Sequence, residues 1–325
     1  MSPPGAAAGP TRGYDPGQMP PDSDAPAAPA APVQQGPEEV LREIRELVAA
    51  GTPLTGALAA RFHRAVHALD PAATEDSLAV LPGNRGVHIY DTIVAWAPVV
   101  AGEQVIDLGC GSGGATRAAA RATGPEGMVV GIDVSPECIA EAIARTGDDL
   151  PVLYRRGDMQ RMGTVPDRTF DCAIASMSLE QLDDLRPVLA EVFRVLRPGG
   201  RFVASVTAFD RLRPIDASFM GAVIAVVGRR APGALAGRAS RASIPHEPLD
   251  QMAFREAGLA TVEEQDVQLA VVMEDLDDAW RVFSRTTFAH LLDEEGRDDL
   301  RRVLERRMPH TLYLPLRLLR TRRPG

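Results

Sequence analysis

Apolar residues recur at helical spacing in two stretches near the start of the chain: Val40, Leu41, Ile44, Leu47 and Val48, then Leu54, Leu58, Phe62, Val66 and Leu69. Positions three and four apart share one side of a helix, so each stretch predicts an amphipathic helix. A loop-like stretch with Pro71, Pro82 and Gly83 follows, and then an apolar and aromatic helix from about 88 to 100. Beyond residue 103 the pattern changes. Short apolar runs at 105–107, 128–132, 152–155, 170–175 and 201–206 alternate with helical periodicity. That alternation predicts βαβ units and a parallel sheet. Ser135 and Pro136 are placed to cap and open the helix after the second run. Leu185, Val188, Leu189, Val192, Val195 and Leu196 form a further amphipathic helix, ended by Pro198-Gly199-Gly200.

The ends of the chain depart from this rhythm. Residues 1–37 are rich in proline and alanine without sustained periodicity, and are expected to form a disordered tail. The expected division is this tail, an N-terminal helical cap over 38–103, and a catalytic domain over 104–325. Segments at about 208–247 and 275–308 exceed what a minimal sheet needs and are expected to shape a substrate pocket. The nearly uninterrupted apolar run 217–228 is too short to span a bilayer and predicts a buried helix. The last apolar run, 312–319, predicts a closing strand, with Pro315 placing it at an edge or a bulge.

Composition narrows the function classes. With 44 acidic against 35 basic residues the net charge is −9, which disfavours a phosphate-backbone binder and hence a nucleic-acid substrate. Every basic residue is arginine, which fits the codon usage of a GC-rich bacterial genome. The three cysteines, Cys110, Cys138 and Cys172, show no CxxC spacing and lie in apolar segments, so neither a disulfide framework nor a zinc site is expected. No apolar run reaches the roughly 18 residues of a membrane span, and the N-terminus lacks a secretory pattern. The expectation is a cytoplasmic protein; its oligomeric state is not encoded in any recognisable pattern.

The chemistry is concentrated in VIDLGCGSGG at 105–114, a strand running into a glycine-rich turn and then a helical run. Gly109, Gly111 and Gly113 allow tight turning and close approach of a ligand, and the following helix N-terminus offers free N–H groups. Gly109, Gly111 and Gly114 also satisfy GxGxxG, the dinucleotide fingerprint, which taken alone is weak. Asp107 argues otherwise. It precedes the first glycine by two residues, where it would repel a pyrophosphate but can hold an ammonium group. Asp133 ends the next strand, placed for ribose hydroxyls, and Asp158 in RRGDMQ is placed to accept from an adenine amino group.

In these residues the chain resembles the class I S-adenosylmethionine-dependent methyltransferases, and more narrowly the group that includes ubiquinone and menaquinone biosynthesis enzymes. The motifs are DLGCGSG at 107–113, GIDVSPE at 131–137, GDMQ at 157–160, FDCAIASMSLEQL at 170–182 and LRPGGRF at 196–202. The resemblance implies an α/β, Rossmann-like fold: a seven-stranded sheet, mostly parallel with an antiparallel last strand, flanked by helices. It further implies S-adenosyl-L-methionine as cofactor. The implied contacts are Asp107, Gly109, Gly111 and Gly113 at the methionine end, Asp133 and Val134 at ribose and adenine, Asp158 and Met159 at adenine, and Ser176 near the sulfonium. The expected reaction is methyl transfer to oxygen or carbon of a small hydrophobic metabolite, as in natural-product assembly.

Candidate general bases are His88 and His246, neither with a motif behind it, and Glu180, just past the fourth strand, where the superfamily this chain resembles often faces substrate, as a base or a hydrogen-bond acceptor. His63 and His67, four apart on a helix, have a metal-compatible spacing but no third ligand, and no metal is expected. Tyr90 and Trp96 are candidates to cover the cofactor, with plain packing the simpler reading. The nine arginines between Arg297 and Arg323 are expected to lie on a solvated helix face and a charged tail. Two other classes stay open at this point: an NAD-dependent oxidoreductase, and a cofactor-binding protein of the same fold that transfers no methyl.

Overall fold

The computed structural model describes residues 35–79, 89–182, 184–239, 251–260 and 263–325. His88 and His246, and the expected tail up to residue 34, lie outside these residues.

Seven strands form one sheet: β1 (Gln104–Leu108), β2 (Met128–Asp133), β3 (Val152–Arg156), β4 (Phe170–Ser176), β5 (Leu196–Thr207), β6 (Glu263–Met273) and β7 (His310–Arg322). Their order is β3-β2-β1-β4-β5-β7-β6, with β7 antiparallel to both its neighbours and the rest parallel. The chain order reverses between β1 and β4, which is where an open α/β sheet leaves a crevice at its C-terminal edge.

Both sides of the sheet are covered, so its central strands are almost wholly buried. Ile93 and Val94 of α4 (Ile89–Trp96) and the alanines of α5 (Gly114–Thr123) cover Val105, Val129 and Ile174. On the other face, α7 (Arg186–Val195) sets Val188, Leu189 and Val192 against Ile106, Val130 and Phe202, helped by Phe254 of α10 (Gln251–Glu256). In α6 (Pro136–Ala144), the expected cap is present: Ser135 Oγ accepts from the Cys138 amide at 3.1 Å.

A second core lies outside the sheet. It joins α1 (Pro37–Ala49) and α2 (Gly56–Leu69) to α8 (Pro214–Arg230), α9 (Pro232–Ala239), α11 (Leu276–Phe283) and α12 (Glu294–Glu305). Ile44, Val48 and Phe62 meet Phe219, Val223, Phe283 and Leu300 there. The N-terminal cap and the two late insertions therefore form one lobe. The apolar run of α8 is buried on one side only, through Phe219, Met220, Val223, Val226 and Val227, while Ile215 and Ile224 are exposed.

Three sequence expectations change. The strand of 201–206 begins earlier, at Leu196, and absorbs Pro198-Gly199-Gly200. The loop-like stretch after α2 contains a short helix, α3 (Ala73–Ala79). Pro315 lies in an interior strand rather than at the sheet's edge, because β7 runs between β5 and β6. Its missing N–H costs nothing, however. A strand residue's N–H and C=O point the same way, and the Pro315 carbonyl accepts from Ala208 just where pairing with β5 stops at Leu316.

Candidate cofactor site

The C-terminal ends of β1, β2 and β4 bring the predicted residues together. Asp107, near the end of β1, is only 1% exposed. Its Oδ2 accepts from the Thr116 hydroxyl on α5 at 2.6 Å, while its Oδ1 is buried without a hydrogen-bond partner. A buried carboxylate oxygen left unpaired is costly, and such atoms mark places where a ligand completes the structure. Burial pushes the Asp107 carboxyl up to about 7, with the Thr116 hydrogen bond opposing and the nearby Asp133 charge adding to the rise.

The glycine turn follows at once. Gly109, Gly111 and Gly113 all have positive φ, at 70°, 53° and 88°. Their surroundings differ. A Cβ on Gly109 would stand 2.6 Å from Ser178 Cβ, and one on Gly113 would stand 2.3 Å from the Tyr154 hydroxyl, whereas nothing lies within 4 Å of one on Gly111. The first and third glycines make room for protein; the second faces open space.

Asp133, at the end of β2, is 8% exposed and spans the turn: Oδ2 accepts from the Gly111 amide and Oδ1 from the Ser135 amide, both at 2.9 Å. Each oxygen retains a lone pair for a further donor. Val134 is 50% exposed, a bare apolar surface beside that carboxylate. Asp158 and Gly157 line a cleft of about 230 Å³ with Ile132, Arg161 and Met162. Asp158 Oδ1 accepts from the Gln160 amide at 2.8 Å. The Met159 methyl lies 3.9 Å from where a Gly109 Cβ would be, which places it under the glycine turn. Ser176 ends β4 and meets Ser205 of β5 at 3.4 Å between hydroxyl oxygens.

Glu180 is exposed, and its Oε1 accepts from both the amide and the hydroxyl of Thr207. That contact ties the turn after β4 to the end of β5 through one of the two carboxylate oxygens. Tyr90 is packed over Gly114, whose Cβ would meet its ring at 2.2 Å. Burial pushes the Tyr90 phenol up, and the charge of Glu75 adds to the rise. Trp96 sits under the Arg320 guanidinium at 4.4 Å, away from the glycine turn.

Two features escaped the sequence reading. Ser178 Oγ donates to the Leu108 carbonyl at 2.7 Å, pinning the turn after β4 onto β1, and the preceding Met177 is left-handed with φ 52°. Strained positions of that kind gather at functional sites. The second is Glu75 of α3: Ser112 Oγ donates to its Oε2 at 2.6 Å, and Arg117 donates to its Oε1. Arg117 also donates to the Ser112 carbonyl at 2.7 Å. The neighbouring Asp76 accepts from Arg145 at 2.6 Å and from Arg285 at 2.9 Å, and the Arg145 hydrogen bond holds its carboxyl low against the opposing effect of burial. The cap lobe is thus fastened over the glycine turn by ion pairs.

Among the described residues no cluster could hold a metal ion, and the paired His63 and His67 find no third ligand. His67 instead lies where the Asp133 and Glu137 charges act on it, though burial dominates and holds its imidazole low. The three cysteines are buried and free. The late arginines are less solvated than expected. Arg317 is 5% exposed and pairs with Asp266 at 2.8 Å, and Arg323 donates to the Phe193 and Leu196 carbonyls.

Compared with known proteins, residues 106–204 match the family described as Methyltransferase domain. The matched segment runs from β1 into β5 and contains the glycine turn, Asp133 and Asp158. Two curated relatives are similar to part of the chain. The chain is 31% identical over 150 residues to a malonyl-[acyl-carrier protein] O-methyltransferase of Hahella chejuensis, covering 46% of this chain and 51% of that protein. It is 37% identical over 123 residues to a demethylmenaquinone methyltransferase of Tropheryma whipplei, covering 37% of this chain and 48% of that one. The chain spans about half, or less, of the length of the curated relatives it matches. Among solved structures, the Haemonchus contortus phosphoethanolamine N-methyltransferase 2 in complex with S-adenosyl-L-methionine is 16% identical, with a TM-score of 0.50 over 80% of this chain and 58% of that one. That likeness supports the fold alone.

Proposed function

We propose that this protein is an S-adenosylmethionine-dependent methyltransferase acting on oxygen or carbon of a small, hydrophobic metabolite, with a role in natural-product assembly. The observation that carries the reading is Asp107, a fully buried carboxylate with one oxygen unpaired at the mouth of the glycine turn. That oxygen fits the ammonium of an aminoacyl group and would repel a pyrophosphate, which disfavours the oxidoreductase reading. The open space at Gly111, the paired amides held by Asp133 and the bare face of Val134 fit the adenosyl part.

In this reading Asp107 and the turn of Gly109, Gly111 and Gly113 bind the methionine end. Asp133 accepts from ribose hydroxyls, Val134 and Met159 flank adenine, and Asp158 accepts from its amino group. Ser176 lies toward the reacting end. The cofactor supplies an already activated methyl group, so this chain's main task is to hold the acceptor close and in line, a contribution of about 7–11 kcal/mol in favourable cases. The lobe that joins α1 and α2 to α8, α9, α11 and α12 is the substrate side, a placement that rests on these elements exceeding what a minimal sheet needs. His88 and His246 remain candidate bases. With Oε1 committed to Thr207, Glu180 acts as an acceptor that positions the end of β5.

Among the described residues no helix is long and apolar enough to cross a membrane. The acidic balance supports a small-molecule substrate over nucleic acid. The free thiols support a reducing, cytoplasmic setting.

Calorimetry with S-adenosylhomocysteine and with NAD separates the two enzyme classes: binding of the first alone is expected, and binding of NAD alone overturns the proposal. Transfer of labelled methyl into a metabolite extract of the producing cell then identifies the acceptor by mass. Retention of all label in the cofactor would favour the third class, a binding protein.

A further inference from the structure

The cap lobe contains a second cavity, of about 770 Å³, between α1 and the segment that leads into α12. It shares no lining residue with the cleft at Asp158. Arg45 of α1, His290 and Arg297 of α12 line it together. Arg45 spends Nε on the Leu41 carbonyl of its own helix at 3.2 Å, and Arg297 spends one Nη2 hydrogen on the Ser284 carbonyl at 3.2 Å. Among the described residues neither guanidinium forms an ion pair. The His290 Nε2 is buried and has no hydrogen-bond partner. Burial and the Arg45 charge both hold the Arg297 guanidinium below its usual range. Burial, and after it Arg297, holds the His290 imidazole low, with Asp70 opposing and Arg45 and Arg285 adding to the fall.

Among the described residues no carboxylate is in ion-pair contact with Arg45, His290 or Arg297, although Glu38, Glu39, Glu46 and Asp293 line the same cavity. Asp293 caps α12 by accepting from the Gly296 amide at 2.8 Å, and Asp70 is engaged by Arg285. Glu39 faces Arg42 at 3.8 Å, and Glu38 and Glu46 are exposed on α1. Of the cavity's two other arginines, Arg42 faces Glu39 and Arg230 is paired with Asp299 at 2.7 Å. Two arginines, each with unspent guanidinium N–H groups, and a histidine whose Nε2 has no partner are left lining one space. Like charges half-buried together are unfavourable unless an anion joins them, and guanidinium forks match the oxygens of a tetrahedral oxyanion.

We propose that Arg45, His290 and Arg297 form a receptor for a phosphate group, either free or carried by a metabolite. No residue of this site belongs to the cofactor site, although it lies in the lobe assigned to the substrate side.

Calorimetric titration of the full chain with inorganic phosphate, and separately with glycerol 3-phosphate, tests it. Saturable, salt-sensitive binding is expected, weakened at least tenfold in both Arg45→Gln and Arg297→Gln. Equal affinity for the two probes assigns the site to free phosphate, and tighter binding of the ester assigns the rest of the cavity to a carrier. Because Arg297 also holds the Ser284 carbonyl, thermal melting of both variants without phosphate accompanies the titration. Arg45→Gln, on the cavity wall of α1, is expected to fold normally, and added phosphate should raise the Tm of the unaltered protein only. Absence of binding by either probe, or binding unchanged in folded Arg45→Gln, overturns the proposal.

Discussion

The Gly111 amide donates to Asp133 Oδ2 at 2.9 Å, so the glycine turn after β1 is held in shape by the acid that ends β2. Asp133 therefore preorganises the turn as well as facing the ribose position. Asp133→Ala should weaken cofactor binding by about 1–3 kcal/mol and also lower stability, because the Gly111 and Ser135 amides lose their acceptor. Calorimetry with S-adenosylhomocysteine beside thermal melting checks both. Unchanged binding in a folded variant would remove Asp133 from the site.

The three glycines should respond differently to substitution. Gly113→Ala must displace the Tyr154 hydroxyl from 2.3 Å and is expected to lower the melting temperature outright. At Gly111 an added Cβ has no protein atom within 4 Å, so Gly111→Val is expected to pay mainly for φ 53°, roughly 1–2 kcal/mol. Its expected signature is a folded protein without measurable cofactor affinity. The obstruction there is to the ligand's space, not to the protein's own packing.

Asp107 predicts opposite pH trends for stability and for binding. Its folded value near 7 lies above the ordinary carboxylate value, so its contribution to stability is full below about pH 4 and is lost as pH rises through 7. Binding of a cationic ammonium requires the ionised form, so affinity should climb as pH rises toward 7 and level off above it. Asp107→Asn should flatten both profiles, weaken binding, and raise the melting temperature of the unliganded protein at pH 8. Melting and calorimetry across pH 5 to 8.5 would show this, and a wild-type affinity that falls toward pH 8 would contradict it.

The ion pair of Glu75 with Arg117 fastens the cap lobe to the glycine turn, with both side chains nearly buried. Removing one partner strands the other, at a cost of about 3–5 kcal/mol for a fully buried pair and less here. Glu75→Gln and Arg117→Gln should each destabilise more than half as much as the double variant. Both should speed dissociation of a bound cofactor analogue in stopped-flow measurements. Additive losses of stability would show that the two side chains are not coupled.

Much of the catalytic core could be read along the chain, because its signals are local. Strand ends, glycine turns and the Ser135 cap are each specified within about ten consecutive residues, and the strands up to Val206 alternate with helices in sequence as they do in the sheet. The edge strand β6 was not legible: its first half, Glu263 to Gln268, is mostly exposed and polar, so it carries no apolar alternation to betray it. The helix α3 was hidden for a similar reason, being only seven residues long and bounded by turn-like prolines. With it was hidden Glu75, whose meaning depends on Ser112 and Arg117 some forty residues later.

By itself the sequence determined the sheet's central units and the carboxylates at their ends, since backbone turns, caps and side-chain alternation depend on near neighbours. Only the tertiary structure decided which oxygens of those carboxylates are already spent, that Ser178 and Glu75 close around the turn, and that α1 and α12 bring Arg45 and Arg297 to one cavity. Those outcomes arise from contacts between residues far apart in the chain, where packing and burial, rather than local propensity, choose the partners.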